Sequence, residues 1–195
     1  INSYIYWGSP EGYSPSNRDE LPTLGAKGVK IADLDKDGFL DIVFANWRSN
    51  SGYGINSYIY WGSSGGYSVS HRTGLPTVGA MDVDIADLNN DGYPDIVFAN
   101  QRDNTTYNIN SCIYWGNSDR FLSPTKTVLA TRGASGVCVA DLDNDGNLDI
   151  VFANYYDNDD TSHNIDSLIY WGPMFTDHTG LETRGAYDVN VADIN

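Results

Sequence analysis

Asp33, Asp35, Asp37 and Asp41 occupy positions 1, 3, 5 and 9 of a nine-residue stretch, with Gly38 at position 6. Side-chain oxygens at that spacing, bent round a glycine, converge on one point. Such a set suits calcium, which takes six to eight oxygens from a flexible loop. The pattern returns as Asp87, Asn89, Asp91 and Asp95 around Gly92, and as Asp141, Asp143, Asp145 and Asp149 around Gly146. A fourth copy opens at Asp193 and is cut off by the last residue, Asn195. The backbone carbonyls of Phe39, Tyr93 and Asn147 are expected to add one oxygen to each set. Asp41, Asp95 and Asp149 are expected to close each site through both carboxylate oxygens. The expected cofactor is therefore Ca2+, at three complete sites and a fourth truncated at Asp193.

A loop of this kind resembles the start of an EF-hand, but the EF-hand glutamate at position 12 is missing. Phe44, Phe98 and Phe152 stand there instead. A single copy would read equally well as an Asx-rich turn without metal; three copies with the same ligand types favour calcium. Two carboxylates ~4 Å apart repel by about 1 kcal/mol in water and about 4 kcal/mol at an intermediate dielectric. Filling the loop should therefore stiffen the hairpin, and the metal is expected to be mainly structural. Magnesium, which demands a tighter octahedron and keeps its waters, fits less well. Asn89 removes one negative charge, so the second site is expected to be the weaker.

The loops must be positioned by something equally regular. Tyr-Trp-Gly triplets end at Gly8, Gly62, Gly116 and Gly172, and Gly-Ala pairs begin at Gly25, Gly79, Gly133 and Gly185, in steps of 52 to 56 residues. Before each loop, as in Val29-Lys30-Ile31-Ala32, large apolar residues alternate with polar or small ones, the period-2 mark of a strand. After it comes Ile42-Val43-Phe44-Ala45, repeated from Ile96 and Ile150, apolar without a break and so expected to be covered on both faces. A third strand is expected at Ser57–Trp61, and a weaker fourth through Tyr13, Tyr67, Phe121 and Phe175. No helical periodicity competes. The expected fold class is all-β, with β-propeller blades of four antiparallel strands, because one such sheet cannot cover both its faces and must stack on its neighbours. The Tyr-Trp-Gly aromatics are expected to fill the wedge between blades.

The acidic loop between two strands, with Trp-Gly and Gly-Ala elements in every repeat, resembles the FG-GAP repeat of integrin α-subunit propellers. It is also similar to the VCBS-type repeat of large microbial surface proteins. The likeness covers essentially the whole chain. It departs at the proline that closes the family motif, replaced here by Lys27, Met81, Ser135 and Tyr187. The resemblance implies a calcium-bearing, extracellular or cell-surface propeller, seven-bladed or longer. The chain holds about three and a half repeats of ~54 residues, too few for a closed ring. The expected organisation is one array, 1–195, with a partial blade over 1–25 carrying the third and fourth strands. Whole blades follow at 26–79, 80–133 and 134–185, and the start of another at 186–195. This reads as a segment of a longer chain or, alternatively, as a unit that completes its ring or filament with further copies of itself.

The formal net charge is −15, with 26 acidic residues against 11 basic. Three divalent ions would bring it to about −9. No basic stripe exists to meet phosphates, so nucleic acid is not an expected partner. No apolar run has the length to insert into a membrane as a helix. Cys112 and Cys138 do not recur in the other repeats and are read as incidental. His71, His163 and His178 occupy inequivalent repeat positions, and no catalytic motif surrounds them, so no enzyme is expected.

The functional expectation is a non-enzymatic extracellular calcium-binding repeat module for adhesion, ligand display or cell-surface architecture. Its partner would be a protein or a glycan. One alternative is a carbohydrate-binding, lectin-like propeller. Trp47, Arg48, Tyr53, Gln101, Arg102, Tyr107, Tyr155, Tyr156 and His163 lie in the variable loops between second and third strands. Their rings, amide and guanidinium groups can stack on and hydrogen-bond a sugar. The bland reading of these loops is solvated tips. Another alternative is a building unit of an extracellular filament, or an accessory domain of a larger secreted enzyme.

Overall fold

The computed structural model describes residues 2–156 and 163–192. The fourth acidic copy, Asp193 to Asn195, lies outside the described residues. The described chain is all-β. Strands β1 (Asn2–Ser9) and β2 (Gly12–Pro22) form a two-stranded ribbon. Three four-stranded antiparallel sheets follow, each in simple sequential order. The first holds β3 (Ala26–Ala32), β4 (Asp41–Asn46), β5 (Gly54–Tyr60) and β6 (Arg72–Val78). The second holds β7 (Ala80–Ala86), β8 (Asp95–Asn100), β9 (Ser111–Tyr114) and β10 (Lys126–Leu129). The third holds β11 (Ala134–Ala140), β12 (Asp149–Asn154), β13 (Ser167–Tyr170) and β14 (His178–Leu181).

Successive side chains of a strand point to opposite faces, so an apolar run serves two neighbours at once. Strands β4, β8 and β12 are buried along their whole length. Ile96 and Phe98 face back into a core shared with Val43, Ala45 and Leu34 of the first sheet. Val97 and Ala99 face forward into a second core with Ile150 and Phe152 of the third. Ile42 and Phe44 likewise reach back to Leu21 of the ribbon. Each pair of neighbours therefore owns one core, and the repeat has no hydrophobic interior of its own. Strand β3 lies against β7, and β7 against β11, so the first strands of successive sheets run side by side. Among the described residues the succession does not close into a ring.

The Tyr-Trp-Gly triplets fasten each sheet to both neighbours. The hydroxyls of Tyr60, Tyr114 and Tyr170 donate to the carbonyls of Pro22, Pro76 and Ala130 in the preceding unit, at 2.6, 2.5 and 2.7 Å. The tryptophans reach the other way: Trp61 packs on Phe121 and Trp115 on Phe175, with ring centroids 6.4 and 6.3 Å apart.

One expectation needs correction. The fourth strand does not pass through Tyr67, Phe121 or Phe175; it forms later, at Arg72–Val78, Lys126–Leu129 and His178–Leu181. Only Tyr13 lies within its strand. The aromatic residues sit in the preceding loop and plug the gap against the previous sheet. The strand itself is an edge strand rich in Thr, Gly and charge, with little apolar signal to mark it.

Candidate metal centre

Each acidic loop joins the first two strands of a sheet. Its path follows from two left-handed residues: Lys36, Asn90 and Asn144 at φ 57–63°, and Gly38, Gly92 and Gly146 at φ 89–91°. The wider angle belongs to glycine, and asparagine tolerates the narrower one. The side chains then cap the loop's own backbone. Asp33 accepts the N–H groups of Asp37 (3.1 Å) and Gly38 (3.0 Å), Asp35 accepts that of Asp37 (3.1 Å), and Asp37 accepts that of Phe39 (2.9 Å). The second loop repeats this set with Asp87, Asn89 and Asp91. The third does so with Asp141, Asp143 and Asp145.

This folding draws one carboxylate oxygen each from Asp33, Asp35 and Asp37 to within 4.8 Å of one another, and the same holds for Asp141, Asp143 and Asp145. Calcium–oxygen bonds of 2.3–2.6 Å span that separation from a single centre. The donor set, all oxygen and mostly anionic, fits a hard divalent cation. In the second loop the Asn89 amide donates to Asp91 at 3.0 Å. The loop keeps the same backbone path with one carboxylate fewer. The position-7 residues Phe39, Tyr93 and Asn147 follow directly, their N–H groups held by the position-5 aspartates.

The position-9 aspartates stand apart. Asp41 is fully buried, and its two oxygens accept the N–H groups of Leu34 and Gly62, both at 2.8 Å. Asp95 holds Leu88 and Gly116 in the same way, and Asp149 holds Leu142 and Gly172. Burial, with the charges of Asp35 and Asp37 behind it, pushes the Asp41 carboxyl up to about 6. Burial beside Asp91 and Asp87 does the same to Asp95, also to about 6. Each of these oxygens retains a lone pair, so closing a metal site is compatible with the backbone bonds. Their anchoring of the Trp-Gly corner had no assignment from the sequence, although the fixed 21-residue spacing of Asp41 to Gly62 and Asp95 to Gly116 was visible there.

Two further polar sets escaped the sequence reading. Asn46, Asn100 and Asn154 end each second strand and donate to the carbonyls of Asn56, Asn110 and Asp166. Ser57, Ser111 and Ser167 pair with Thr77, Thr131 and Thr183 at 2.8–2.9 Å. Their exact recurrence was the signal that could have found them.

The loops between second and third strands emerge at the other end of the sheets. Trp47 stacks edge-on against Tyr53 at 5.2 Å, with Arg48 over both rings. Arg102 lies over Tyr53 of the preceding repeat and Tyr107 of its own. Tyr107 meets Tyr156 of the next repeat at 4.3 Å, and Tyr156 meets Tyr155 and His163. The structure thus brings these rings and guanidinium groups into one cross-repeat stack. Tyr107 is buried in it, while Trp47, Arg48 and Tyr53 keep open surface; Gln101 is buried apart from the stack, its N–H held by the Gly79 carbonyl at 3.0 Å.

The stacked antiparallel sheets and in-register acidic hairpins define an all-β repeat protein of acidic-loop type. A family model, FG-GAP-like repeat, matches residues 33–98 and again 87–152. The two matches together cover more than half of the chain, which belongs to the FG-GAP-like repeat family. No curated protein matches it. Among the described residues no helix is long and apolar enough to cross a membrane.

Proposed function

We propose that the chain is a non-enzymatic, extracellular calcium-binding module whose metal ions hold propeller-type blades in shape for adhesion, ligand display or surface architecture. The observation that carries this reading is the convergence of three carboxylates in the first and third of three loops that stand at the same point of the family repeat. Metal-free, each loop holds like charges within a few ångströms, and a divalent ion removes that repulsion. Asp33, Asp35 and Asp37 would hold the first ion, Asp141, Asp143 and Asp145 the third. Asp87, Asn89 and Asp91 would hold the second, more weakly. The position-9 aspartates and position-7 carbonyls would complete each shell.

His71 sits against Arg120, His163 on the Tyr155 carbonyl and His178 against Tyr170, three unrelated settings. The reading is tested by calorimetric titration of chelator-treated protein with calcium. Two or more binding events and a raised melting temperature are expected; no heat and an unchanged melt would overturn it.

A glycan ligand is the second reading, and one feature favours it. Trp47 and Arg48, with Asn2, Ser3, Asn50 and Ser51, line an open cleft of about 810 Å³ at the end of the sheets opposite the acidic loops. A glycan array probed with calcium-loaded protein tests it, and the absence of any bound sugar counts against it.

A further inference from the structure

A cation from elsewhere in the chain reaches the first acidic loop. Arg120, in the loop between β9 and β10 of the next repeat, extends its side chain to it. Its Nε lies 2.5 Å from Asp35 Oδ2, and its Nη2 lies 3.3 Å from Asp37 Oδ2. These are the oxygens that the loop's internal hydrogen bonds leave over, since Asp35 Oδ1 and Asp37 Oδ1 accept backbone N–H groups. The guanidinium is steadied from its other sides. Nη1 meets His71 Nε2 at 3.3 Å, and the plane lies over the Trp61 ring at 5.6 Å.

The backbone at Arg120 is a poor place for this residue unless the side chain has a task. Arg120 and Phe121 both adopt left-handed φ, 59° and 57°. In the two preceding repeats the position of Arg120 is taken by Gly12 (φ 97°) and Gly66 (φ 81°), which adopt that region freely. Non-glycine residues are strained there, because Cβ crowds the following carbonyl. Burial of Phe121 against Trp61 offsets its share. The contact of Arg120 with two carboxylates offsets the other.

We propose that Arg120 is a built-in counter-cation of the first loop. It occupies Asp35 and Asp37 oxygens that a calcium ion would use, so the ion and the guanidinium compete for them. Calcium entry at this loop displaces Arg120 and loosens its tie between the first and second sheets. Arg120 therefore lowers the affinity of the first loop for calcium below what its four aspartates would otherwise give. This rests on calcium binding as proposed above.

The test is calcium titration calorimetry of Arg120→Gln beside the unmodified residue, both in an Asp91→Asn, Asp145→Asn background that leaves the first loop intact. Removing the competing charge is expected to raise first-loop affinity about ten-fold or more, and Arg120→Lys should fall between. In chelator, Arg120→Gln should melt lower than its parent; on calcium addition its melting temperature should rise further than the parent's. First-loop binding that is unchanged or weakened by Arg120→Gln would overturn the counter-cation while leaving calcium binding in place. No binding in either protein while the chain with all loops intact binds calcium would overturn the counter-cation alone, and no calcium binding in the chain with all loops intact would overturn both.

Discussion

Asp41 Oδ1 accepts the backbone N–H of Gly62 at 2.8 Å, joining the last acid of the first loop to the Trp-Gly corner 21 residues later. Its other oxygen holds Leu34 N at the loop's start. One buried carboxylate thus fixes both where the loop begins and where the third strand ends. Asparagine has a single acceptor oxygen and can serve only one of these donors. Asp41→Asn is expected to cost about 1.5–3 kcal/mol, the worth of a hydrogen bond to a charged group. Urea unfolding of metal-free protein measures it, and a loss below about 0.5 kcal/mol would contradict the anchoring role.

Gly62 is the partner that cannot grow. A Cβ at this position would overlap the Leu40 carbonyl oxygen, and the equivalents Gly116 and Gly172 face Pro94 and Leu148 in the same way. Gly62→Ala must push the corner off the loop, at an expected cost of about 1–3 kcal/mol. Because the displaced group is the loop backbone, calcium affinity at the first loop should fall with stability, while that of the third loop holds. Titration of the variant checks both.

Calcium should raise the melting temperature in proportion to the loops it fills. A ligand at about 100 times its dissociation constant adds about 2.7 kcal/mol per site. Scanning calorimetry with calcium and with chelator gives the increment. Asp145→Asn should remove the third loop's share and leave the rest.

The pH dependence has opposite signs with and without metal. Asp41 and Asp95 have folded values near 6, above the ordinary carboxylate range. A group with a raised folded value binds its proton more tightly in the native state. Metal-free stability is therefore expected to increase as pH falls from neutral through about 6 towards 4. Calcium needs ionised carboxylates, so the loaded protein should lose stability over the same window. Melting curves in chelator and in calcium should approach each other on acidification. A chelated protein that melts lower at mildly acidic pH than at neutrality would refute the assignment.

The tyrosine ties between repeats are separable from the metal. Tyr114→Phe removes the hydroxyl that donates to Pro76 in the preceding unit and leaves the ring in the core. The expected loss is about 1 kcal/mol, the same in calcium and in chelator. Equilibrium unfolding under both conditions checks it.

Much of this protein was legible in its residues. The acidic loops announced themselves because ligand chemistry requires particular side chains at particular spacings, and a hairpin turn supplies the geometry locally. The unbroken Ile-Val-Phe-Ala run told of burial on both faces, since a strand exposes alternate residues to two different neighbours. Repetition made the four-stranded unit readable, because the same local solution had to recur wherever the sequence did. What remained hidden involves groups brought together across the fold. The fourth strand forms where it finds a partner edge, so its sequence carries little apolar pattern, and the aromatic residues in the loop before it carry the stronger strand-like signal. Asp41 looked like a ligand and is also a backbone anchor, because its partner lies in another turn. Arg120 could not be tied to Asp35 and Asp37 by any pattern in the chain. Only stacking of the second sheet on the first puts that guanidinium, 83 residues beyond Asp37, within bonding distance, and Coulomb attraction acts on that spatial separation alone.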